Sequence, residues 1–550
     1  MSRGESGRGA PLGLLGRRQY RRISRFEGLP EVSSPRVRVQ TVPVRMSDGV
    51  DLVTEIWHPE TPRAGAPVVL MRLPYGAMGV RAFARIFAER GYPVVLQNCR
   101  GTFGSGGEFE PFFNEERDGV DCCDWLAAQP WAAGGIHTFG ASYFGLTQWA
   151  IAHTRHPALR SMTIGVSTRS FGGAIMYPGG GFGIETAVSW AHGLAHQERS
   201  TAVRLGQALQ GYFIVPRSAM AADPSTAVRQ AIGHDLGYYQ DWLAHSDAGD
   251  PWWARVDFVP DALTVPHLQL AGWQDLFLEG QLKDVEALTA AGTDVRLIVG
   301  PWTHASPQMG ELALVETFAL LSGEPRPAAR IFLHGANRWV DLAQWPPAAT
   351  PSVLHLRSSG ELDEEPDPDV SEVSYRYDPA DPTPAAGGRG LSMFTAGVKN
   401  QKVREKRADV LTWTTRVLPE PVTVIGRPTA KVVIASSNPR VDVFVRLCLV
   451  DPKGRSTNIT DGYRRLDAPG PGEGDGARVV ELDLAPTAYE VPAGHRLRVQ
   501  ISSGAHPLYL RNPGTADPLR DFSELVPSEQ QVVLGPDGCS ITLPVTDLPL

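Results

Sequence analysis

Residues 137–145, with the sequence HTFGASYFG, indicate the fold of the chain more clearly than any other segment. An apolar run leads into Gly140-x-Ser142, and a helix of small and apolar residues is predicted over 146–152. A strand that turns sharply into a helix around one serine is the arrangement of a nucleophile elbow. Its glycines leave room for a strained serine backbone, because only a residue without a Cβ fits a crowded turn at little cost. Gly145 comes one position later than in the usual Gly-x-Ser-x-Gly spacing, so the motif by itself also allows an ordinary turn.

Continuous apolar segments lie before this elbow, at 67–71 and 92–96, and a further strand is predicted after it, at 160–166. Strands without apolar/polar alternation are buried on both faces, and helical segments separate these three along the chain. The pattern predicts a parallel, doubly wound α/β sheet. Residues 36–58 read as an antiparallel hairpin in which the alternation shifts near Pro43, which indicates a bulge or an edge strand.

Residues 170–258 interrupt this rhythm with helical segments predicted at 185–196, 201–212 and 225–236 and with many aromatic residues. A helical insertion between sheet strands is a cap, which commonly forms the substrate pocket.

From about residue 350 onward, short alternating strands separated by Gly, Pro and Asp predict a β-sandwich or jelly roll. The predicted domains are a flexible basic arm (1–35), a catalytic α/β domain (36–168 and 259–345), a helical cap (169–258) and a C-terminal jelly roll (346–550).

The composition describes a folded globular protein, with 42% hydrophobic and 20% charged residues in 550. A net charge of −8 gives no reason to expect a nucleic-acid partner, and no apolar run reaches the length of a membrane span. Five cysteines without Cys-x-x-Cys spacing are typical of reduced thiols in a cytoplasmic chain, not of a zinc site. The arginine-rich arm lacks the hydrophobic segment of an export signal, and we interpret it as a contact to a neighbouring subunit of a homo-oligomer.

A nucleophilic serine requires a base and a carboxylate that orients that base. In α/β hydrolases the acid and then the histidine follow the serine along the chain, each on a loop after a sheet strand. Two loops downstream of the cap have this form, with Asp275 after the strand at 267–271 and His304 after the strand at 295–299. Taken singly, Asp275 also reads as a helix N-cap and His304 as a turn residue. Their order and position together predict a triad with Ser142.

The reaction also needs hydrogen-bond donors for the oxyanion. The backbone N–H of Tyr143, directly after the nucleophile, provides one of them. The second normally comes from the loop after an early strand, here 72–76, where the hydroxyl of Tyr75 is a candidate. From the residues alone, Tyr75 serves equally well as a packing residue of the loop.

Motifs distributed along residues 36–540 resemble those of the bacterial cocaine-esterase-like hydrolases, relatives of Xaa-Pro dipeptidyl-peptidases and α-amino-acid ester hydrolases. The matching segments include Pro74-Tyr75-Gly76, Arg100-Gly101-x-x-Gly104-Ser105, Gly140-x-Ser142-Tyr143-x-Gly145, Gly272-Trp273-x-Asp275, Gly300-Pro301-Trp302-x-His304 and Thr460-Asp461-Gly462. The late Gly145 is the form that this family has. One departure is Asn400, where the family pattern leads us to expect Asp; it falls in the β domain and therefore bears on domain packing or the pocket rim.

The resemblance implies an α/β-hydrolase domain, a helical cap and a jelly roll. It also implies a triad of Ser142, Asp275 and His304, with the Tyr75 hydroxyl and the Tyr143 N–H as the oxyanion hole, and it implies no cofactor or metal. The expected function is hydrolysis of small ester substrates, and of amides as a second class, through an acyl-enzyme.

Phe277 beside the acid and Trp190 in the cap are candidate pocket residues, which favour a modest apolar or aromatic acyl group. Two alternatives stay open at this point. One is dipeptidyl-peptidase or amino-acid ester hydrolase activity, although the chain lacks the extra N-terminal domain of the longer peptidases. The other is a hydrolase fold that only binds its ligand.

Overall fold

The computed structural model describes residues 12–258, 263–392, 395–467, 476–518, 520, 522 and 524–547. In this part of the chain the first sheet has ten strands, in the spatial order β1-β2-β4-β3-β5-β6-β7-β8-β9-β10. Their bounds are β1 Val37–Arg45, β2 Asp51–Pro59, β3 Val68–Leu73, β4 Val94–Asn98, β5 Ile136–Ala141, β6 Leu159–Gly165, β7 His267–Gly272, β8 Val295–Gly300, β9 Ala329–Leu333 and β10 Arg338–Leu342. Strands β3 to β9 are parallel, which confirms the predicted α/β-hydrolase sheet.

The hairpin at the start of the sheet is regular. Strand β1 pairs with β2 without a register shift, and Pro43 lies opposite Val53. Because β1 is the edge strand of the sheet, the missing N–H of Pro43 disturbs no ladder, and the edge position explains the proline without a bulge. Strands β3, β4 and β7 are buried along their whole length, as the absence of alternation predicts.

Helices cover both faces of this sheet and form the cap. Their bounds are α1 Leu14–Ile23, α2 Arg81–Ala88, α3 Glu115–Ala127, α4 Tyr143–His153, α5 Ile184–Ala195, α6 Thr201–Ala219, α7 Ala227–Ile232, α8 Gly237–Ala244, α9 Leu278–Ala290 and α10 Pro307–Leu321. Of the cap helix predicted at 225–236, only Ala227–Ile232 forms an α-helix (α7), because Gly233 takes a left-handed conformation (φ +90°) that ends it. None of the helices within the described residues has the length and apolar character that crossing a membrane requires.

The described part of the N-terminal arm differs from the flexible segment predicted. Helix α1 packs against α2, and Ile23 is fully buried in the core of the catalytic domain. The hydroxyl of Tyr20 donates a hydrogen bond to Glu89 (2.6 Å), and Arg22 forms an ion pair with Glu311 (2.6 Å). Apolar burial and these polar contacts anchor the helix, which the Arg/Gly/Ser composition of the segment does not indicate.

The C-terminal domain consists of β strands. Within the described residues it contains β11 Thr350–Leu356, β12 Leu362–Asp363, β13 Ser371–Tyr377, β14 Leu411–Thr414, β15 Val422–Gly426, β16 Thr429–Ser436, β17 Val441–Val450, β18 Ser456–Leu466, β19 Arg478–Asp483, β20 Thr487–Val491, β21 Arg496–Ser502, β22 Ser528–Leu534 and β23 Ser540–Val545. Strands β14, β17, β18 and β21 form one sheet and the remaining strands form a second. Both sheets contribute to one apolar core, so the domain is a sandwich, as predicted.

Candidate active site

The elbow around Ser142 has the geometry that its sequence predicts. Ser142 connects β5 directly to α4 and has a left-handed backbone (φ +60°, ψ −125°), a conformation that costs a non-glycine residue about 1–3 kcal/mol. The late glycine also has a physical reason. A Cβ on Gly145 would lie 2.4 Å from the Cβ of Ser167, so this position must be glycine for α4 to pack beside the end of β6.

The acid and the base lie on neighbouring loops after β7 and β8. The Asp275 carboxylate is fully buried, and its Oδ2 is 2.7 Å from Nδ1 of His304. Its Oδ1 accepts a hydrogen bond from the backbone N–H of Phe277 (2.8 Å), which fixes the carboxylate plane. The other ring nitrogen of His304, Nε2, is 3.0 Å from Oγ of Ser142. The three side chains predicted from chain order therefore form one continuous chain of hydrogen-bonding contacts.

Two candidate oxyanion donors lie close to the serine. Tyr143 is the first residue of α4, where backbone N–H groups have no intrahelical acceptor and the helix dipole favours negative charge. Tyr75 follows β3, and its hydroxyl accepts a hydrogen bond from Nε1–H of Trp190 (2.8 Å). Burial raises the pKa of Tyr75 to about 12, against the opposing effect of its hydrogen bonds to Trp190 and Ser142. The hydroxyl thus keeps its proton at neutral pH and remains a donor.

A small apolar cavity opens beside the serine, with a volume of about 40 Å³. It is lined by Tyr75, Phe112, Ser142, Tyr143, Leu146, Phe171, Ile175, Met176, Thr186, Trp190, Leu276, Phe277 and Leu391. Both predicted pocket residues are among them, and the ring of Phe277 also stacks on His304 with centroids 5.5 Å apart. None of these lining residues is an Asp, Glu, His, Lys or Arg.

Several wall residues were not predicted. Phe112 precedes α3, and Ile175 and Met176 belong to a short helical turn at the start of the cap. Leu391 comes from a loop of the β domain, which Glu185 of α5 holds by accepting hydrogen bonds from the backbone N–H groups of residues 391 and 392. Among these residues, only the aromatic pair Phe112–Phe113 is a sequence feature that could have indicated a pocket wall. Nothing in the sequence around Leu391 indicates that it contacts a cavity of another domain.

Two further histidines and Asn400 lie outside the contacts between Ser142, His304 and Asp275. His137 is fully buried in β5, where its Nδ1 is 2.7 Å from Oγ of Ser161. His267 is likewise buried at the start of β7. Asn400 is an exposed residue of the β domain whose Oδ1 accepts a hydrogen bond from the backbone N–H of Lys402 (2.9 Å), so it caps a local turn.

Comparisons with known proteins place the chain in a family. Residues 48–306 match the X-Pro dipeptidyl-peptidase (S15 family) model, and residues 323–538 match the X-Pro dipeptidyl-peptidase C-terminal non-catalytic domain. The chain is 30% identical to a cocaine esterase from Rhodococcus sp., over 92% of its own length and 98% of that relative.

Among solved structures, an aminopeptidase from the marine sediment archaeon Thaumarchaeota archaeon has a TM-score of 0.79 at 22% identity, over 94% of this chain and 98% of that one. An α-amino acid ester hydrolase has a TM-score of 0.77 at 24% identity, over 95% and 99% of the two chains. These structures share the whole two-part architecture. The chain therefore belongs to the cocaine-esterase-like (CocE/NonD) family of serine hydrolases, related to X-Pro dipeptidyl-peptidases and α-amino-acid ester hydrolases.

Proposed function

We propose that this enzyme hydrolyses esters of modest, uncharged apolar or aromatic acids, with Ser142 as nucleophile, His304 as general base and Asp275 as the residue that orients the base. The observation that carries the proposal is the contact chain from Asp275 through His304 to Ser142, with steps of 2.7 and 3.0 Å. This is the arrangement in which an imidazole removes a hydroxyl proton while a buried carboxylate stabilises the resulting imidazolium.

In the acylation step, Oγ of Ser142 attacks the ester carbonyl carbon and Nε2 of His304 accepts its proton. The negative charge that develops on the carbonyl oxygen lies between the Tyr75 hydroxyl and the Tyr143 N–H. The tetrahedral intermediate collapses when His304 returns the proton to the leaving alkoxide, so that an alcohol departs and the acyl group stays on Ser142.

In the deacylation step, water takes the place of the alcohol. His304 accepts a proton from this water as its oxygen attacks the acyl carbon, and the same two donors stabilise the second oxyanion. His304 then protonates Oγ of Ser142, which releases the carboxylic acid and restores the free enzyme.

The cavity supports an uncharged acyl group. A free α-ammonium group, as in an amino-acid ester or the N-terminus of a peptide, needs a carboxylate partner when it is buried. No acidic side chain is among the described residues that line the cavity. The relative named cocaine esterase, at 30% identity, also favours an ester over a peptide bond.

A Ser142→Ala variant assayed with a panel of substrates tests the proposal. We expect the wild type to hydrolyse p-nitrophenyl esters of acetic, butyric and benzoic acid, and to leave aminoacyl and Xaa-Pro p-nitroanilides almost intact. Ser142→Ala should hydrolyse none of them above background. Ser161→Ala, which removes a buried hydroxyl outside the triad, is the matched control and should retain activity. A wild type that prefers the Xaa-Pro anilides would replace the esterase proposal with the peptidase alternative.

We also propose a cytoplasmic location and a homo-oligomeric state. The five cysteines are buried and unpaired, which supports a reducing compartment. Light scattering of the purified protein measures the oligomeric state, and fractionation of its host cells measures the location.

A further inference from the structure

The hydroxyl of Tyr143 points away from the serine into a buried network of its own. Tyr143 is 3% exposed, and its Oη–H donates a hydrogen bond to Oε1 of Glu115 (2.8 Å). The same oxygen accepts a hydrogen bond from the backbone N–H of Phe112 (3.0 Å). Tyr143 thus has two contacts of interest: its backbone N–H is the proposed oxyanion donor, and its side-chain hydroxyl binds the segment that precedes α3.

The acceptor in this network is held firmly. Glu115 Oε2 forms an ion pair with Nη1 of Arg72 (3.0 Å), and both side chains are at most 4% exposed. Arg72 is itself fixed by a hydrogen bond from its Nε to Oε1 of Gln97 (2.9 Å). Burial and the neighbouring Glu115 raise the pKa of the Tyr143 hydroxyl well above its usual range, so that it keeps its proton.

Phe112 has an unusual backbone conformation. Its φ is +75°, in the left-handed region that bulky side chains rarely adopt, and such a conformation persists only where its surroundings hold it. The ring stacks on Tyr143 (centroids 4.6 Å apart, planes at 25°) and on Trp190 (5.7 Å, 10°). It also contacts the ring of Phe171, with centroids 4.1 Å apart. All four aromatic residues line the cavity beside Ser142.

We propose that the hydroxyl of Tyr143 is a positioning group that sets acyl specificity, because it holds Phe112 in its left-handed conformation and so forms the aromatic wall of the pocket. The proposal rests on the proposed function, in which the acyl group of an ester occupies this cavity. The wall extends to the oxyanion hole, since Trp190, stacked on Phe112, donates the hydrogen bond that orients the Tyr75 hydroxyl. Without the Tyr143 hydroxyl, Phe112 can relax to a negative φ and its ring leaves the wall.

The first test compares Tyr143→Phe with the wild type in the ratio of kcat/KM for p-nitrophenyl benzoate to that for p-nitrophenyl acetate. A benzoyl group buries far more surface against the wall than an acetyl group, so loss of the wall acts mainly on the KM for benzoate. We expect the ratio to fall about tenfold or more, the scale on which apolar pockets discriminate.

Tyr239→Phe is the matched control for this test. It removes a hydroxyl that is equally buried and donates to the carbonyl of Pro224 (2.7 Å), but it does so within the cap and outside the cavity lining. Its ratio should equal that of the wild type, even if both variants lose thermal stability. A Tyr143→Phe enzyme with the wild-type ratio, or an equal fall in Tyr239→Phe, would overturn the inference.

The second test is a double-mutant cycle with Phe112→Gly, because glycine adopts the left-handed backbone without strain and removes the ring. Phe112→Gly should lower the ratio, and adding Tyr143→Phe to it should lower the ratio no further. Effects that multiply would show that the hydroxyl acts by another route. If Tyr143→Phe does not fold, the Phe112→Gly ratio alone decides, since a wild-type value excludes a role for this wall.

Labelling with a fluorophosphonate separates this inference from the proposed function. If the wild type is not labelled and hydrolyses no ester, the proposed function fails and this inference fails with it. If Tyr143→Phe is labelled and active with an unchanged ratio, only this inference fails.

Discussion

Replacement of Tyr75 by phenylalanine removes one hydroxyl from the proposed oxyanion hole and leaves the ring in place. Loss of a single oxyanion donor lowers kcat by about 10²–10³-fold, or about 3–4 kcal/mol of transition-state stabilisation. The hydroxyl is the group that faces Ser142, and its pKa of about 12 keeps it protonated throughout the working range of an esterase. We therefore expect Tyr75→Phe to lower the kcat for p-nitrophenyl acetate by about 10²-fold with a much smaller change in KM.

The same substitution has a smaller structural effect. Trp190 Nε1–H loses its acceptor, and an unsatisfied donor that is half-buried costs about 1 kcal/mol of folding stability. Assays therefore belong well below the melting temperature of the variant, which differential scanning calorimetry measures. Rapid-mixing measurement of the p-nitrophenolate burst separates acylation from deacylation, and both rates should fall because each step forms an oxyanion.

The pH dependence gives this prediction a second readout. A deprotonated Tyr75 cannot donate, so activity should fall only as the pH approaches the raised pKa of about 12, with no loss due to Tyr75 in the mildly alkaline range. Tyr239→Phe, which loses a buried hydroxyl outside the site, should retain the wild-type kcat. If Tyr75→Phe keeps a wild-type kcat at a temperature where it is folded, Tyr75 is a packing residue and the oxyanion assignment is wrong.

Three further predictions concern the acid, the core and the elbow. Asp275→Asn should lower kcat by about 10⁴-fold, because the amide nitrogen presented to the triad histidine favours the wrong tautomer; near wild-type turnover would contradict this. Burial lowers the pKa of His137 to about 3 and that of His267 to about 4 in the folded protein. In the unfolded chain a histidine has its ordinary pKa of about 6.5, so below this pH the unfolded state binds more protons than the folded state. Urea titrations should accordingly show the free energy of unfolding falling by about 2 kcal/mol per histidine between pH 6.5 and 5, and His137→Gln should reduce that loss. Gly145→Ala should abolish hydrolysis or expression, because its Cβ would lie 2.4 Å from Ser167; full activity in the purified variant would refute the packing argument.

Chain order and strand position were sufficient to predict that Ser142, Asp275 and His304 lie in contact. Parallel strands end at one edge of a sheet, so loops after β5, β7 and β8 bring Ser142, Asp275 and His304 together whatever the intervening cap does. The buried strands were also predictable, because an uninterrupted apolar run is typical of a strand that is buried on both faces of a parallel sheet.

The acyl pocket was less accessible to sequence reasoning because its walls come from distant segments. Glu115 reads as an acidic residue in the first turn of a helix, a common solvated position, but the fold buries it beside Arg72. No local pattern indicates the left-handed conformation of Phe112 or the hydrogen bond from its backbone N–H to the Tyr143 hydroxyl. Leu391 reaches the cavity only because two domains pack together.

Peptide mapping after covalent labelling determines whether Ser142 is the residue that carries the acyl group. The wild type is treated with a fluorophosphonate, digested with a protease and analysed by mass spectrometry, beside Ser142→Ala and the Ser161→Ala control. We expect a single modified peptide containing Ser142, present in wild type and Ser161→Ala and absent in Ser142→Ala. A label on a different serine, or equal labelling of Ser142→Ala, would contradict it.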